Sequence, residues 1–390
     1  MKISIGDLQK QFIDLNGPSS EEINVYFAPG RVNLIGEHTD YNDGLVFPFA
    51  LQYGTYLLAR KASDSLVKFK SVNFPMTAQV CLQNEVKRVG DTWINYPLGV
   101  IHEFEQKGHK IGGLELLFDG DIPNEAGLSS SASIEMVTAF AINEMFGFGL
   151  EMIDLIKLSQ NAENNFVGMN CGIMDQFAVG MGKKNHGVLL DCSTLEYELV
   201  PFNVSEYSFV VSNTNKKRGL ADSKYNERRA ECEQAVKDIS QEKSISSLSQ
   251  LKEEEFWQLS GNIDDPEIIR RAKHVVTENE RVRLASKFFK EGNLMEVGKL
   301  MHKSHNSLRG DYEVSCFELD VMVEEAMKVE DVLGSRMTGA GFGGCTISIV
   351  HNTKVETFIR EVGKNYLDKT SLKADFYLAE AGGGTRKISN

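Results

Sequence analysis

Residues 28–44 read Ala-Pro-Gly-Arg-Val-Asn-Leu-Ile-Gly-Glu-His-Thr-Asp-Tyr-Asn-Asp-Gly and gather Arg31, Asn33, Glu37, His38, Asp40 and Asn42 in one short stretch. Side chains of these types each donate, accept or bridge hydrogen bonds from adjacent hydroxyls, so the segment suits a ligand with several OH groups, such as a sugar. The plain alternative is a solvated loop. Against it stand the apolar Val32, Leu34 and Ile35, threaded between the polar positions, and the lack of lysine or serine filler. The segment begins where an apolar run stops at Pro29-Gly30 and ends where another resumes at Leu45.

A second constellation spans residues 123–133, Pro-Asn-Glu-Ala-Gly-Leu-Ser-Ser-Ser-Ala-Ser. Small residues let a backbone approach an oxyanion, and the helix that follows would offer free N–H groups and a positive dipole end. Ile134, Val137, Ala141 and Met145 repeat at helical spacing and support that helix. A serine-rich N-cap is the alternative. No Gly-x-x-x-x-Gly-Lys-Ser/Thr occurs, which argues against a P-loop fold. A third constellation, Thr338-Gly-Ala-Gly-Phe-Gly-Gly-Cys345, formally matches Gly-x-Gly-x-x-Gly. A dinucleotide site needs a strand before and a helix after, whereas here a helix is expected over 317–333 and a strand over 345–350. A tight turn that packs two backbones or a nucleotide closely stays open.

Two carboxylates stand out. Glu163 falls on the helical face of Met152, Ile156 and Ser159, the face that should be buried. A buried acid needs a cation, a donor or a raised pKa. Asp175 is the only charge between Glu163 and Lys183, a setting that suits a general base or metal work, with a structural cap as the alternative. Tyr225 starts a stripe with Cys232, Val236 and Ile239, which on pattern alone reads as core. His302 and His305 lack a third ligand and read as an exposed or capped pair.

The elements that must position these residues alternate in type. Strands are expected at 25–28, 56–60, 114–118, 187–191, 197–200, 208–211, 345–350 and 374–378. Helices are expected at 131–146, 151–167, 222–241, 280–309 and 316–333. This interleaving favours an α+β class over a doubly wound parallel sheet. At 390 residues the chain exceeds one ordinary core, and the expected division is 1–192 and 193–390. A formal charge of −13 disfavours nucleic acid and anionic membranes as partners. The early polar residues, the absence of an apolar span and the scattered six cysteines point to a cytoplasmic protein with free thiols. Assembly is left open, with a monomer slightly favoured.

Taken in order, residues 30–41, 127–132 and 338–344 resemble the three motifs of the GHMP small-molecule kinases. The Glu-His-x-Asp-Tyr extension of the first is similar to the signature of the galactokinases within that superfamily. Residues 171–177 (Cys-Gly-Ile-Met-Asp-Gln-Phe) and 223–229 (Ser-Lys-Tyr-Asn-Glu-Arg-Arg) resemble further segments of the same group. The resemblance implies a two-domain α+β fold with the active site in the cleft between the domains. It implies ATP-dependent phosphorylation of the anomeric hydroxyl of galactose, the first committed step of its catabolism. Glu37, His38, Asp40, Gly172, Asp175 and Tyr225 would then contact galactose. Gly127, Leu128, Ser129, Ser130, Ser131 and Ala132 would wrap the nucleotide phosphates, and Ser131 and Glu163 would hold Mg²⁺. Arg31 and Asp175 would flank the reacting hydroxyl. Glu125-Ala126 depart from the glycines common in the family, and Glu125 would have to point away from triphosphate. Rival readings are a kinase for another sugar, a regulator that binds sugar and ATP without catalysis, and, more distantly, a Rossmann oxidoreductase.

Overall fold

The computed structural model describes residues 4–123, 127–216 and 221–388. The strands are β1 (Asn24–Asn33), β2 (Leu45–Val46), β3 (Pro48–Lys61), β4 (Leu66–Ser71), β5 (Ala78–Cys81), β6 (Leu114–Gly120), β7 (His186–Asp191), β8 (Tyr197–Pro201), β9 (Tyr207–Asn213), β10 (Val332–Thr338), β11 (Cys345–His351), β12 (Asp375–Ala379) and β13 (Arg386–Lys387). The helices are α1 (Ile5–Asn16), α2 (Asn95–Gln106), α3 (Ser130–Phe146), α4 (Met152–Asn161), α5 (Met174–Met181), α6 (Ala221–Ile239), α7 (Glu253–Leu259), α8 (Pro266–Lys290), α9 (Leu294–Gly310), α10 (Phe317–Ala326) and α11 (Val355–Thr370).

Among the described residues the strands form a sheet ordered β13-β1-β3-β6-β4-β5, a second ordered β10-β11-β9-β12, and a third ordered β2-β7-β8. Pairing is antiparallel except between β4 and β6. This is the α+β arrangement the interleaved elements led us to expect. One core packs α2 to α5 against the first sheet through Leu57, Leu116, Met136, Ile142, Ile156 and Phe177. A second core joins the two halves of the chain. There Val32, Leu34, Ile35, Phe47 and Phe49 meet Phe209, Val211, Val282, Met301 and Ile347.

The second core explains the mixed composition of residues 28–44. Val32, Leu34 and Ile35 are each fully buried, and their burial together contributes on the order of 5 kcal/mol. They fix the segment from beneath while its polar neighbours serve the cleft.

Several expected boundaries shift. The first strand does not stop at Pro29-Gly30 but runs to Asn33, with a register shift between Pro29 and Arg31 absorbing the proline. The strand expected over 56–60 starts at Pro48. The helix expected over 280–309 is two helices, because Asn293 caps a new start by accepting from the Glu296 N–H. Residues 152–167 are helical, starting one residue later than expected, and the last stretch, Ala162–Val167, widens into a π-helix. The helix expected over 316–333 ends at Ala326, and Asp331 turns through φ 64° into β10. The Gly-rich segment therefore follows a strand rather than a helix. It is the turn of the β10–β11 hairpin, which still lacks the strand-to-helix order of a dinucleotide site.

Candidate active site

A cavity of about 600 Å³ lies where the first motif, the serine loop and the Gly-rich turn converge. Arg31, Glu37, His38, Asp40, Gly127 to Ser131, Glu163, Gly172, Asp175 and Tyr225 all line it. Of the site residues expected from sequence, only Ala132 stands back from the wall, its side chain fully buried in the first turn of α3. Residues 124–126, including Glu125, lie outside the described residues.

Arg31, near the end of β1, makes the central contact. Its Nε donates to Asp175 Oδ1 at 2.7 Å and its Nη2 to Oδ2 at 2.8 Å, while Nη1 donates to the Gly127 carbonyl at 2.9 Å. This is a bidentate, charge-assisted pair. Burial works against the guanidinium charge, but Asp175 and Glu37 outweigh it and raise the Arg31 pKa. Ser129 Oγ donates a third hydrogen bond to Asp175, at 2.5 Å. Ser129 is the residue before α3, yet it adopts φ 58° and makes no side-chain cap to the helix. The ordinary N-cap alternative therefore falls: the serine hydroxyl serves Asp175, and the helix start faces the cavity uncapped by it. Such an end attracts anions.

The sugar-type segment is held by the Gly-rich turn. Glu37 Oε1 accepts from the Gly339 N–H at 2.8 Å, from Thr338 Oγ1 at 3.1 Å and from Arg336 Nη1 at 3.3 Å. Arg336 is fully buried and also donates to the Asn33 and Leu34 carbonyls. The turn packs backbone on backbone: a Cβ on Gly341 (φ +83°) would lie 2.1 Å from the Val314 carbonyl oxygen. His38 borders the cavity, but both of its ring nitrogens are engaged, with the Tyr41 hydroxyl at 2.7 Å and the Ala340 carbonyl at 3.2 Å. Since a carbonyl only accepts, Nε2 carries the proton. Burial, with the nearby His274, drives the His38 pKa down to about 3, so the ring is neutral. Asp40 abuts Gly172, where an added Cβ would come within 2.0 Å of its Oδ2. Burial and the neighbouring Asp175 push the Asp40 pKa up to about 7. Tyr225, which by pattern read as core, instead reaches the cavity, with its ring centroid 5.6 Å from that of His38.

Glu163 sits on the π-helix, buried, and accepts from Gln176 Nε2 at 2.6 Å, from the Ser131 hydroxyl and from the Cys171 thiol at 3.4 Å. Burial and Asp175 raise its pKa. Ser131 and Glu163, the pair expected to hold a metal, are thus in direct contact. Their hard oxygen donors fit Mg²⁺, which takes one or two protein ligands and completes its shell with phosphate and water. Among the described residues no group of three or more His, Cys, Asp or Glu could hold a metal unaided.

Sequence reasoning missed four participants. Gln176 lay within a noted motif but next to the more conspicuous Asp175. Glu135 lies one turn into α3, and Arg336 was the lone cation of an apolar strand, a signal that could have found it. Lys216 lines the cavity while paired with Glu318 at 2.7 Å. The histidine pair also differs from expectation. His305 is buried and its Nε2 stands 3.4 Å from Asp320, neither exposed nor a cap.

The chain matches the family models described as GHMP kinases N terminal domain over residues 95–183, galactokinase galactose-binding signature over 10–61, and GHMP kinases C terminal over 285–368. It is 53% identical to the galactokinase of Fusobacterium nucleatum over 373 residues, covering 95% of this chain and 96% of that one. It is 50% identical to the galactokinase of Clostridium beijerinckii, covering 99% of each. Its fold superposes on the crystal structure of Lactococcus lactis galactokinase complexed with galactose with a TM-score of 0.96, at 43% identity, over 98% of this chain and 100% of that one. Methanococcus jannaschii mevalonate kinase, at 18% identity and a TM-score of 0.66 over 94% and 100%, shares the fold.

Proposed function

Because the chain belongs to the galactokinase family of GHMP kinases, we propose that its cleft seats galactose on one wall and the ATP phosphates on the other. The protein is a sugar kinase that phosphorylates galactose at the anomeric hydroxyl with ATP, giving galactose 1-phosphate and ADP. Galactose lies against Glu37, His38, Asp40, Gly172, Asp175 and Tyr225, and residues 127–132 wrap the phosphates. The observation that carries this reading is the Arg31–Asp175 pair at 2.7 and 2.8 Å, set where the sugar segment meets the serine loop.

Phosphoryl transfer asks mainly for positioning and charge stabilisation. Arg31 supplies a fixed positive charge, and the uncapped start of α3 supplies N–H donors. Asp40 and Glu37 receive sugar hydroxyls; His38, with both nitrogens engaged, contributes its ring and holds the segment's shape. Asp175 accepts the hydroxyl proton. Its carboxylate accepts two hydrogen bonds from Arg31 and one from Ser129, which fix its orientation toward the cavity. With a loose transition state the proton moves late, as the acceptor oxygen bonds to phosphorus and its O–H becomes more acidic. Ser131 and Glu163 would hold Mg²⁺, which when bound would neutralise charge on the phosphates. The protein divides at about residue 192 and works in the cytoplasm, with no nucleic-acid or membrane partner. No helix of the described residues is long and apolar enough to cross a membrane.

The test is ADP release in the presence of galactose, glucose, N-acetylgalactosamine and arabinose in parallel. Release with galactose in preference to the others supports the reading. Sugar binding without ADP release would favour a regulator, against which the intact Arg31–Asp175 pair speaks.

A further inference from the structure

Behind the cavity wall lies a polar cluster that the reaction as described does not use. Gln176 follows Asp175 in the first turn of α5 and is fully buried. Its Nε2 donates to Glu163 Oε2 at 2.6 Å and to Glu135 Oε2 at 3.1 Å. Glu135, on α3, is itself fully buried and does not border the cavity. Among the described residues Gln176 Oε1 has no hydrogen-bond partner, and Glu135 also lies within hydrogen-bond reach of Glu163. Burying a carboxamide and two carboxyl groups together is costly unless their polar atoms are paired.

We propose that Gln176 is a positioning residue for the metal ligand Glu163, with Glu135 behind it fixing the carboxamide. The inference rests on the reading of Glu163 as a Mg²⁺ ligand. One Glu163 oxygen is taken up by Gln176, which sets the rotation of the carboxylate and leaves the other oxygen for the cation. A carboxamide suits this task better than lysine or arginine would, since it orients the acid without neutralising it. Residues adjacent on a helix project about 100° apart. A single turn of α5 therefore aims Asp175 at the acceptor hydroxyl and Gln176 at the metal ligand, and it sets the spacing between the two acids. Partners of this kind are worth about 10–100-fold in metal affinity.

The test measures Mn²⁺ binding by electron paramagnetic resonance, on the full chain with a non-hydrolysable ATP analogue and galactose. Gln176→Met keeps length and bulk but removes the donor, and should weaken Mn²⁺ by about 10–100-fold. Its galactose Kd, measured by calorimetry, should stay within about twofold, since the metal shell and not the sugar wall is disturbed. Gln176→Asn, which withdraws the carboxamide by one methylene, should act in the same direction and decides the matter if the methionine variant does not fold. Unchanged Mn²⁺ affinity, or a parallel loss of galactose and Mn²⁺ binding, would overturn the proposal in favour of a purely structural role. Glu163→Gln separates the two levels. If it leaves Mn²⁺ affinity intact, Glu163 is not a ligand. If it abolishes binding while the Gln176 variants do not, only the positioning role falls.

Discussion

Replacing Asp175 with asparagine should lower kcat by about 10²–10⁴ while galactose still binds. The magnitude follows from the contacts. The carboxylate accepts two hydrogen bonds from Arg31 and one from Ser129. An amide of the same shape offers one oxygen to these donors and turns its own NH₂ group toward another. It also lacks the charge that balances Arg31 and cannot take the hydroxyl proton. The expected loss corresponds to roughly 3–5 kcal/mol of transition-state stabilisation. Breaking a buried ion pair costs about 3–5 kcal/mol of stability. With 26% of the Asp175 side chain exposed, the loss of folding stability should fall below that range. A coupled ADP assay at saturating galactose and ATP gives kcat, calorimetry gives the galactose Kd, and thermal melting checks the fold. Turnover near the wild-type rate would remove Asp175 from the proton-accepting role. A loss of galactose affinity equal to the loss of kcat would make it a binding residue instead.

Asp40→Ala should act on KM for galactose more than on kcat, raising it by about tenfold or more for one lost charge-assisted hydrogen bond; steady-state kinetics over several sugars checks this, and unchanged values would remove Asp40 from recognition. Arg336→Met removes the buried donor to Asn33, Leu34 and Glu37. It should cost about 3–5 kcal/mol in urea unfolding and weaken galactose binding through a loosened Glu37. The pH dependence of stability has a definite sign. Asp40 titrates near 7 in the folded chain against 3.8 as an ordinary carboxyl, so between these values the folded state binds more protons than the unfolded one. Its contribution to stability therefore falls as pH rises from about 4 to 7. In sugar-free protein, melting temperatures from pH 5 to 8 should show wild type losing ground to Asp40→Asn, and parallel curves would contradict the assignment.

Much of this site could be read from residue types, and the reason is local chemistry. Glu163 lay on an apolar helical stripe, so its burial and its need for partners were visible in spacing alone. Asp175 stood without a neighbouring charge in the sequence, which marked it for general-base or metal work; that it pairs with Arg31, at a separation of 144 residues, was not visible in spacing. What spacing hid was set by tertiary contacts. Pro29-Gly30 looked like a strand end, but the strand continues because Val32 and its apolar neighbours are buried between the halves. The Gly-rich segment matched a nucleotide pattern, yet its glycines serve a hairpin that grips Glu37. Tyr225 fitted a core stripe because its ring packs against those of His38 and Tyr41 at the cavity edge rather than in open water. Gln176 gave no signal of its own, since a neutral amide announces itself only through what it touches.

The central claim is that Arg31 and Asp175 transfer phosphoryl from ATP to the anomeric oxygen of galactose. The most direct measurement is galactose-dependent ADP release by wild type and Asp175→Asn, with the product's phosphate located by phosphorus–proton NMR coupling. The account predicts ADP formed in step with a product phosphorylated at the anomeric carbon, and a rate lowered by about 10²–10⁴ in the variant. Phosphate on any other hydroxyl, or equal rates in the two proteins, would contradict it.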